Sequence, residues 1–119
     1  MNVAVLGASP KPERYSHQAV VRLRAKGHTV FPVNPGIAEM LGLKVYARLA
    51  DIPATLDTVT VYLSPENSAL VADDLVAARP GRVIFNPGAE NPTLAAVLRQ
   101  QGVEVLEACT LVLLRTGQF

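Results

Sequence analysis

Short runs that are apolar at nearly every position alternate along this chain with segments whose apolar residues recur at helical spacing. Gly, Pro, Ser or Asn stands at each change, where a cap or turn needs it, and the pattern predicts repeated βαβ units. Val3-Ala4-Val5-Leu6 has no polar alternation, which is how a parallel strand buried on both faces reads. Ser16 predicts a cap for a helix through about Lys26, with Ala19, Val20 and Leu23 on one face and Gly27 as its left-handed stop. A second strand follows at Thr29-Val30-Phe31-Pro32-Val33. Ala38 to Leu41 predicts a short helical turn before Gly42, and Lys44 to Pro53 an irregular connection.

Thr58 to Leu63, β-branched and aromatic, predicts a third strand. Ser64-Pro65 places a capping residue before a proline at the first helical position, opening a helix with Leu70, Val71, Leu75 and Ala78 on its apolar face. Arg79-Pro80-Gly81 ends it. Arg82-Val83-Ile84-Phe85 reads as a fourth strand, Asn91-Pro92 opens a further helix ending at Gly102, and Val103 to Leu106 is a fifth strand. The apolar run Thr110 to Leu114 is too short for periodicity to choose between helix and strand, so residues 107–119 stay open.

Right-handed crossovers between these strands give an α/β fold: a Rossmann-like, doubly wound five-stranded parallel sheet with expected order 3-2-1-4-5 and helices on both faces. With 119 residues and no linker or repeat, the expectation is a single domain over 1–119. Ligands of such sheets sit at the carboxyl ends of the strands, here beside the expected switch between strands 1 and 4. The loops Gly7 to Tyr15, Asn34 to Gly36, Leu63 to Asn67 and Asn86 to Asn91 are therefore the candidate site.

Composition narrows the ligand. Half the residues are hydrophobic, and the formal charge of +1 offers no basic field for a nucleic acid. The N-terminus lacks a charged signal-peptide start and a run long enough to span a membrane, so a cytoplasmic location with no membrane partner is expected. One cysteine and two distant histidines make no disulfide and no metal-ligand spacing. A homo-oligomer stays open.

Gly7-Ala8-Ser9-Pro10 follows the first strand directly, so its backbone N–H groups and the next helix start can face a phosphate, with the Ser9 hydroxyl adding a donor. Arg14 is the stronger candidate to reach that phosphate, with Lys11 behind it. Tyr15 and His17 beside it are ambiguous; a histidine at a helix start is more often a capping group than a base. The loop departs from the dinucleotide fingerprint: Ser9 stands at the second glycine's place and Pro12 at the third's. Val33-Asn34-Pro35 also lacks the acid that binds nicotinamide ribose, which weakens an NAD(P)-dependent oxidoreductase, although Asn34 can still bond a sugar or base. Asn86-Pro87-Gly88 is placed to line the deep end of a pocket. Glu90 has no partner acid, nucleophile or metal cluster, so no catalytic residue is assigned.

Gly7-Ala8-Ser9-Pro10 with Arg14-Tyr15-Ser16, then Pro32-Val33-Asn34-Pro35, Leu41-Gly42, Leu49-Ala50-Asp51-Ile52-Pro53 and Asp57-Thr58-Val59, together resemble the stand-alone CoA-binding domain proteins. These are small bacterial and archaeal relatives of the N-terminal CoA-binding domain of the succinyl-CoA synthetase α-subunit. The resemblance implies coenzyme A or an acyl-CoA as ligand, held by Gly7, Ala8, Ser9, Arg14, Tyr15, Val33, Asn34, Pro35, Leu63, Ser64 and Pro65. Asn86 and Gly88 complete the expected set. Many members read Trp-x-Gln-x-Gly after the fourth strand where this chain has Phe85-Asn86-Pro87-Gly88, a departure at the pantetheine end. Cys109 falls where members often carry a cysteine, which implies a possible mixed disulfide with the CoA thiol. The chain is too short for the phosphohistidine and nucleotide-grasp machinery of the larger relatives. The implied function is a small non-catalytic binding module; the alternatives are the oxidoreductase, or a ligand-free Rossmann-like interaction subunit using the apolar Leu111 to Leu114 segment.

Overall fold

The first apolar run becomes β1 (Asn2–Leu6), buried at every position after Asn2. In the computed structural model, which describes residues 1–119, a parallel neighbour flanks it on each side. Its side chains divide two cores: Val3 and Val5 pack with Ala19, Val20 and Leu23 of α1 (Tyr15–Ala25), while Ala4 and Leu6 face the opposite layer. That second layer holds α2 (Pro65–Leu70), α3 (Ala72–Ala78) and α4 (Pro92–Gln100), with Leu75, Leu94 and Leu98 in the same core as Ala4.

The main sheet joins β1 to β2 (Thr29–Val33), β5 (Thr58–Val61), β6 (Arg82–Phe85) and β7 (Glu104–Glu107), all parallel, in the spatial order β2-β1-β5-β6-β7. The doubly wound α/β class is as expected. The order differs in one respect: counting only these five strands it runs 2-1-3-4-5, not 3-2-1-4-5, and the switch lies between β1 and β5. Pro32 fits the place of β2 at the edge of the sheet. The Pro32 carbonyl accepts from Tyr46 N–H at 2.9 Å and Asn34 N–H donates to the Tyr46 carbonyl at 2.9 Å, so even-numbered residues of this strand face its outer edge. Proline has no hydrogen to offer there, and the outer ladder shrinks to one parallel bridge, Val33 to Tyr46. The next full strand pairs on the far side of β1.

Local departures have equally local causes. The stretch expected as a helical turn is a hairpin of β3 (Glu39–Met40) and β4 (Leu43–Lys44). Leu41 at φ 51 and Gly42 at φ 74 give the two successive left-handed residues of a tight hairpin turn. Ser16 is not a cap: α1 starts at Tyr15, flanked by Arg14 without a side-chain cap, and Ser16 is buried in its first turn. Val71 interrupts the helix expected to continue from Ser64-Pro65, and this turns Leu70 outward, 82% exposed, instead of into the core. The undecided run is α5 (Thr110–Arg115), which packs against α1 and buries Leu114. No helix is long and apolar enough to cross a membrane.

At the far end of the sheet from the candidate loops, His28 meets the edge of Phe119 with ring centroids 5.3 Å apart, and Arg82 stacks on the same ring at 4.4 Å. Burial, then the nearby amino group of Met1 and Arg82, hold the His28 imidazole below its ordinary pKa. The folded state therefore favours neutral His28: this contribution is complete above the unfolded value near 6.5 and is lost as pH falls below it. Thermal melts should show a drop in Tm from pH 7.5 to pH 5.5 that His28→Gln reduces. An unchanged slope in that variant would assign the drop to carboxylates.

Candidate functional site

Two adjacent loops at the carboxyl ends of β1 and β2 are bound into one platform. Gly7 N–H and Ala8 N–H both donate to the Val33 carbonyl, at 3.0 and 3.1 Å. The Asn34 amide nitrogen donates to the Ala8 carbonyl at 2.7 Å, while its oxygen accepts from Gly36 N–H at 2.7 Å. Asn34 thus uses its side chain on the loops themselves, and its part in the site is to position them. Gly7 has φ +91, and a Cβ there would lie 2.9 Å from Leu63 Cδ2, so only glycine lets this loop and the one after β5 approach.

The rest of the first loop is also tied. A His17 Nδ1 contact to the Ser9 carbonyl spans 3.0 Å, and Lys11 N–H donates to Ser9 Oγ at 3.1 Å. His17 is a buried loop anchor, not a solvated cap. The amides of Ser9, Tyr15, Ser16 and His17 have no partner within the chain. These donors, gathered at the start of α1, suit an anion by hydrogen bonding and by the helix dipole.

Two clefts open on the platform and share Gly7 and Asn34. The larger, about 760 Å³, is lined by Val33, Pro35, Leu49 and Leu63 among others. The smaller, about 390 Å³, is lined by Ala8, Ser9, Lys11, Arg14, Tyr15, Tyr62 and Pro87. Its charged side chains are the two cations Lys11 and Arg14. Tyr15, 71% exposed, stands at its rim as an unburied ring.

Of the expected residues, the structure brings together Gly7, Ala8, Ser9, Arg14, Tyr15, Val33, Asn34, Pro35 and Leu63. Ser64 and Pro65 line neither cleft; the Ser64 hydroxyl accepts from Asn67 N–H at 3.3 Å and caps α2. Asn86 is buried behind the site. It donates to Thr60 Oγ1 at 2.7 Å and to the Val61 carbonyl at 2.9 Å, and accepts from Thr110 N–H at 2.8 Å, capping α5 from a neighbouring strand. Gly88 is exposed with φ +89 and donates to Glu90 Oε1 at 2.8 Å, so Glu90 stabilises a turn. Cys109 is half-buried immediately before α5 and lines neither cleft.

Four side chains of the site escaped the sequence reading: Arg48, Asp73, Asp74 and Tyr62. Arg48 and Asp74 form a two-pronged ion pair at the mouth of the larger cleft, with Nη2 to Oδ1 2.7 Å and Nε to Oδ2 3.0 Å. Those bonds hold the Asp74 carboxyl below the usual carboxylate range and push the Arg48 guanidinium further up. The Tyr62 hydroxyl is buried beside Thr60 and Thr110, whose hydroxyls are bonded to each other at 2.7 Å, and it has no partner of its own. Burial pushes its phenol up to about 12, so it stays neutral. The Ser64-Pro65 cap announced a helix but not its break at Val71, and that break sets the positions of Asp73 and Asp74.

A family model described as CoA binding domain matches residues 1–115. The uncharacterized protein YneT of Bacillus subtilis is 30% identical over 104 residues, covering 87% of this chain and 77% of its own. A structure from Thermus thermophilus, cell-free ID.343, superposes with a TM-score of 0.90 at 30% identity, over 99% of this chain and 90% of the other. An ADP-forming acetate–CoA ligase of Archaeoglobus fulgidus is 36% identical over 61 residues, which are 51% of this chain and 9% of the ligase.

Proposed function

This chain belongs to the CoA-binding domain family, related to the CoA-binding domains of acyl-CoA synthetases, and from that footing we propose that it binds coenzyme A or an acyl-CoA as a small non-catalytic module. The observation that carries the proposal is the pair of clefts meeting at Gly7 and Asn34. The larger has the volume and apolar walls that suit an adenosine. The smaller joins Lys11, Arg14 and the free amides of the α1 start, which suit the diphosphate. The pantetheine arm then runs past Tyr62 and Pro87. Asn34 and Gly7 fix the platform, Arg14 binds through charge, and Val33, Pro35 and Leu63 supply apolar contact.

Calorimetric titration with CoA should give saturable heat, and Arg14→Ala should weaken binding by about tenfold, the scale of one charge-assisted hydrogen bond. Absence of heat at millimolar CoA, with a control CoA binder responding, would overturn the proposal. Nicotinamide cofactor protecting the protein from heat better than CoA would favour the oxidoreductase instead.

A further inference from the structure

We infer that Arg48 reads a phosphate carried on the ribose of the bound nucleotide, with Asp74 holding the guanidinium at the mouth of the cleft. The inference rests on the proposed placement of the adenosine in the larger cleft. Coenzyme A differs from its dephospho form by that ribose phosphate alone, so a residue that senses it decides between two otherwise identical ligands.

Arg48 is the sole cation among the side chains lining the larger cleft. Its side chain is 63% exposed, whereas that of Asp74 is only 14% exposed, so the carboxylate is the fixed partner and the guanidinium the reachable one. Nε and Nη2 are engaged by Asp74, and Nη1 has no partner. A planar fork gripped along one edge presents its remaining donors in a settled orientation, which lowers the conformational loss when an anion arrives. The second carboxylate on this rim, Asp73, is exposed and its repulsion is screened by water. A ribose hydroxyl can take from Nη1 only a single hydrogen bond between a cation and a neutral group; a phosphate dianion adds the attraction of opposite charges.

The test compares CoA with dephospho-CoA by calorimetry on the wild type, Arg48→Gln and Asp74→Asn. The wild type should prefer CoA by about tenfold. Arg48→Gln should cut the preference below about twofold while leaving dephospho-CoA affinity within about threefold of wild type. Asp74→Asn keeps the cation but loosens its hold, and should leave a reduced preference of about threefold to fivefold, between wild type and Arg48→Gln. Equal loss of both ligands in Arg48→Gln, a wild type that does not discriminate, or an Asp74→Asn variant that mimics Arg48→Gln would overturn the role of Arg48 and leave the CoA reading standing. A wild type that binds neither ligand would overturn the CoA reading itself, and this inference with it.

Discussion

Asn34→Ala is expected to abolish most CoA binding, by about thirtyfold or more, while lowering stability by only about 1–2 kcal/mol. Of the two 2.7 Å bonds of the Asn34 side chain, one crosses to the Ala8 carbonyl of the neighbouring loop and the other, from Gly36 N–H, closes its own turn. Neither belongs to the sheet ladder. Their loss leaves β1 and β2 paired and the Gly7 and Ala8 amides on the Val33 carbonyl, but frees the turn that walls the larger cleft from its side-chain tie to the phosphate-facing loop, and both clefts share this residue. Paired titrations and thermal melts check the split between affinity and stability. Affinity unchanged in a folded variant would show that the platform does not depend on Asn34.

The second large effect concerns stability. Asn86→Ala removes two donated bonds and one accepted bond from a residue only 2% exposed, and leaves Thr110 N–H without its partner in the interior. Leaving buried groups unsatisfied in this way costs about 3 kcal/mol, which corresponds to a fall in Tm of roughly 10 °C for a domain of this size. Because Asn86 caps α5 from β6, hydrogen exchange should quicken first in α5 and in the α1 face beneath it. Uniform acceleration across the sheet would instead indicate a global loss without local release. Asn86→Asp keeps the acceptor for Thr110 N–H but sets a buried carboxylate oxygen against the Val61 carbonyl, so it should destabilise at least as much as alanine.

What was legible in the sequence follows the range of the interactions involved. Strands buried on both faces announce themselves by composition, and β2 and β6 fall on the expected residues. Ser64-Pro65 and Asn91-Pro92 signal helix starts because a cap acts within one turn; Asn91 Oδ1 does accept from Leu94 N–H, at 3.1 Å. The tight hairpin at Leu41-Gly42 is not legible in the sequence, since a non-glycine residue at positive φ leaves no compositional mark. Glycine and the short polar loop identified the platform around Gly7 and Asn34. Arg48 and Asp74 are 26 residues apart and meet only through the crossover and the break at Val71, so no local pattern linked them. The sequence places Asn86 in the pocket because the loop after a strand in this fold commonly faces ligand. Its three partners come from β5 and the start of α5, and that demand is invisible in a run, Thr110 to Leu114, whose pattern fits helix and strand equally.

Pro32 has a bearing on how this molecule can meet its own copies. An open parallel sheet presents a row of free backbone groups along each outer strand, and such rows invite pairing between chains. Along β2 the proline deletes a donor midway, and Tyr46 occupies the carbonyl of Pro32 itself and the Asn34 amide. A second chain arriving edge-on would find a ladder with a missing rung and its end already taken. Growth of the sheet from molecule to molecule is disfavoured on that side by the proline ring and the Tyr46 backbone together.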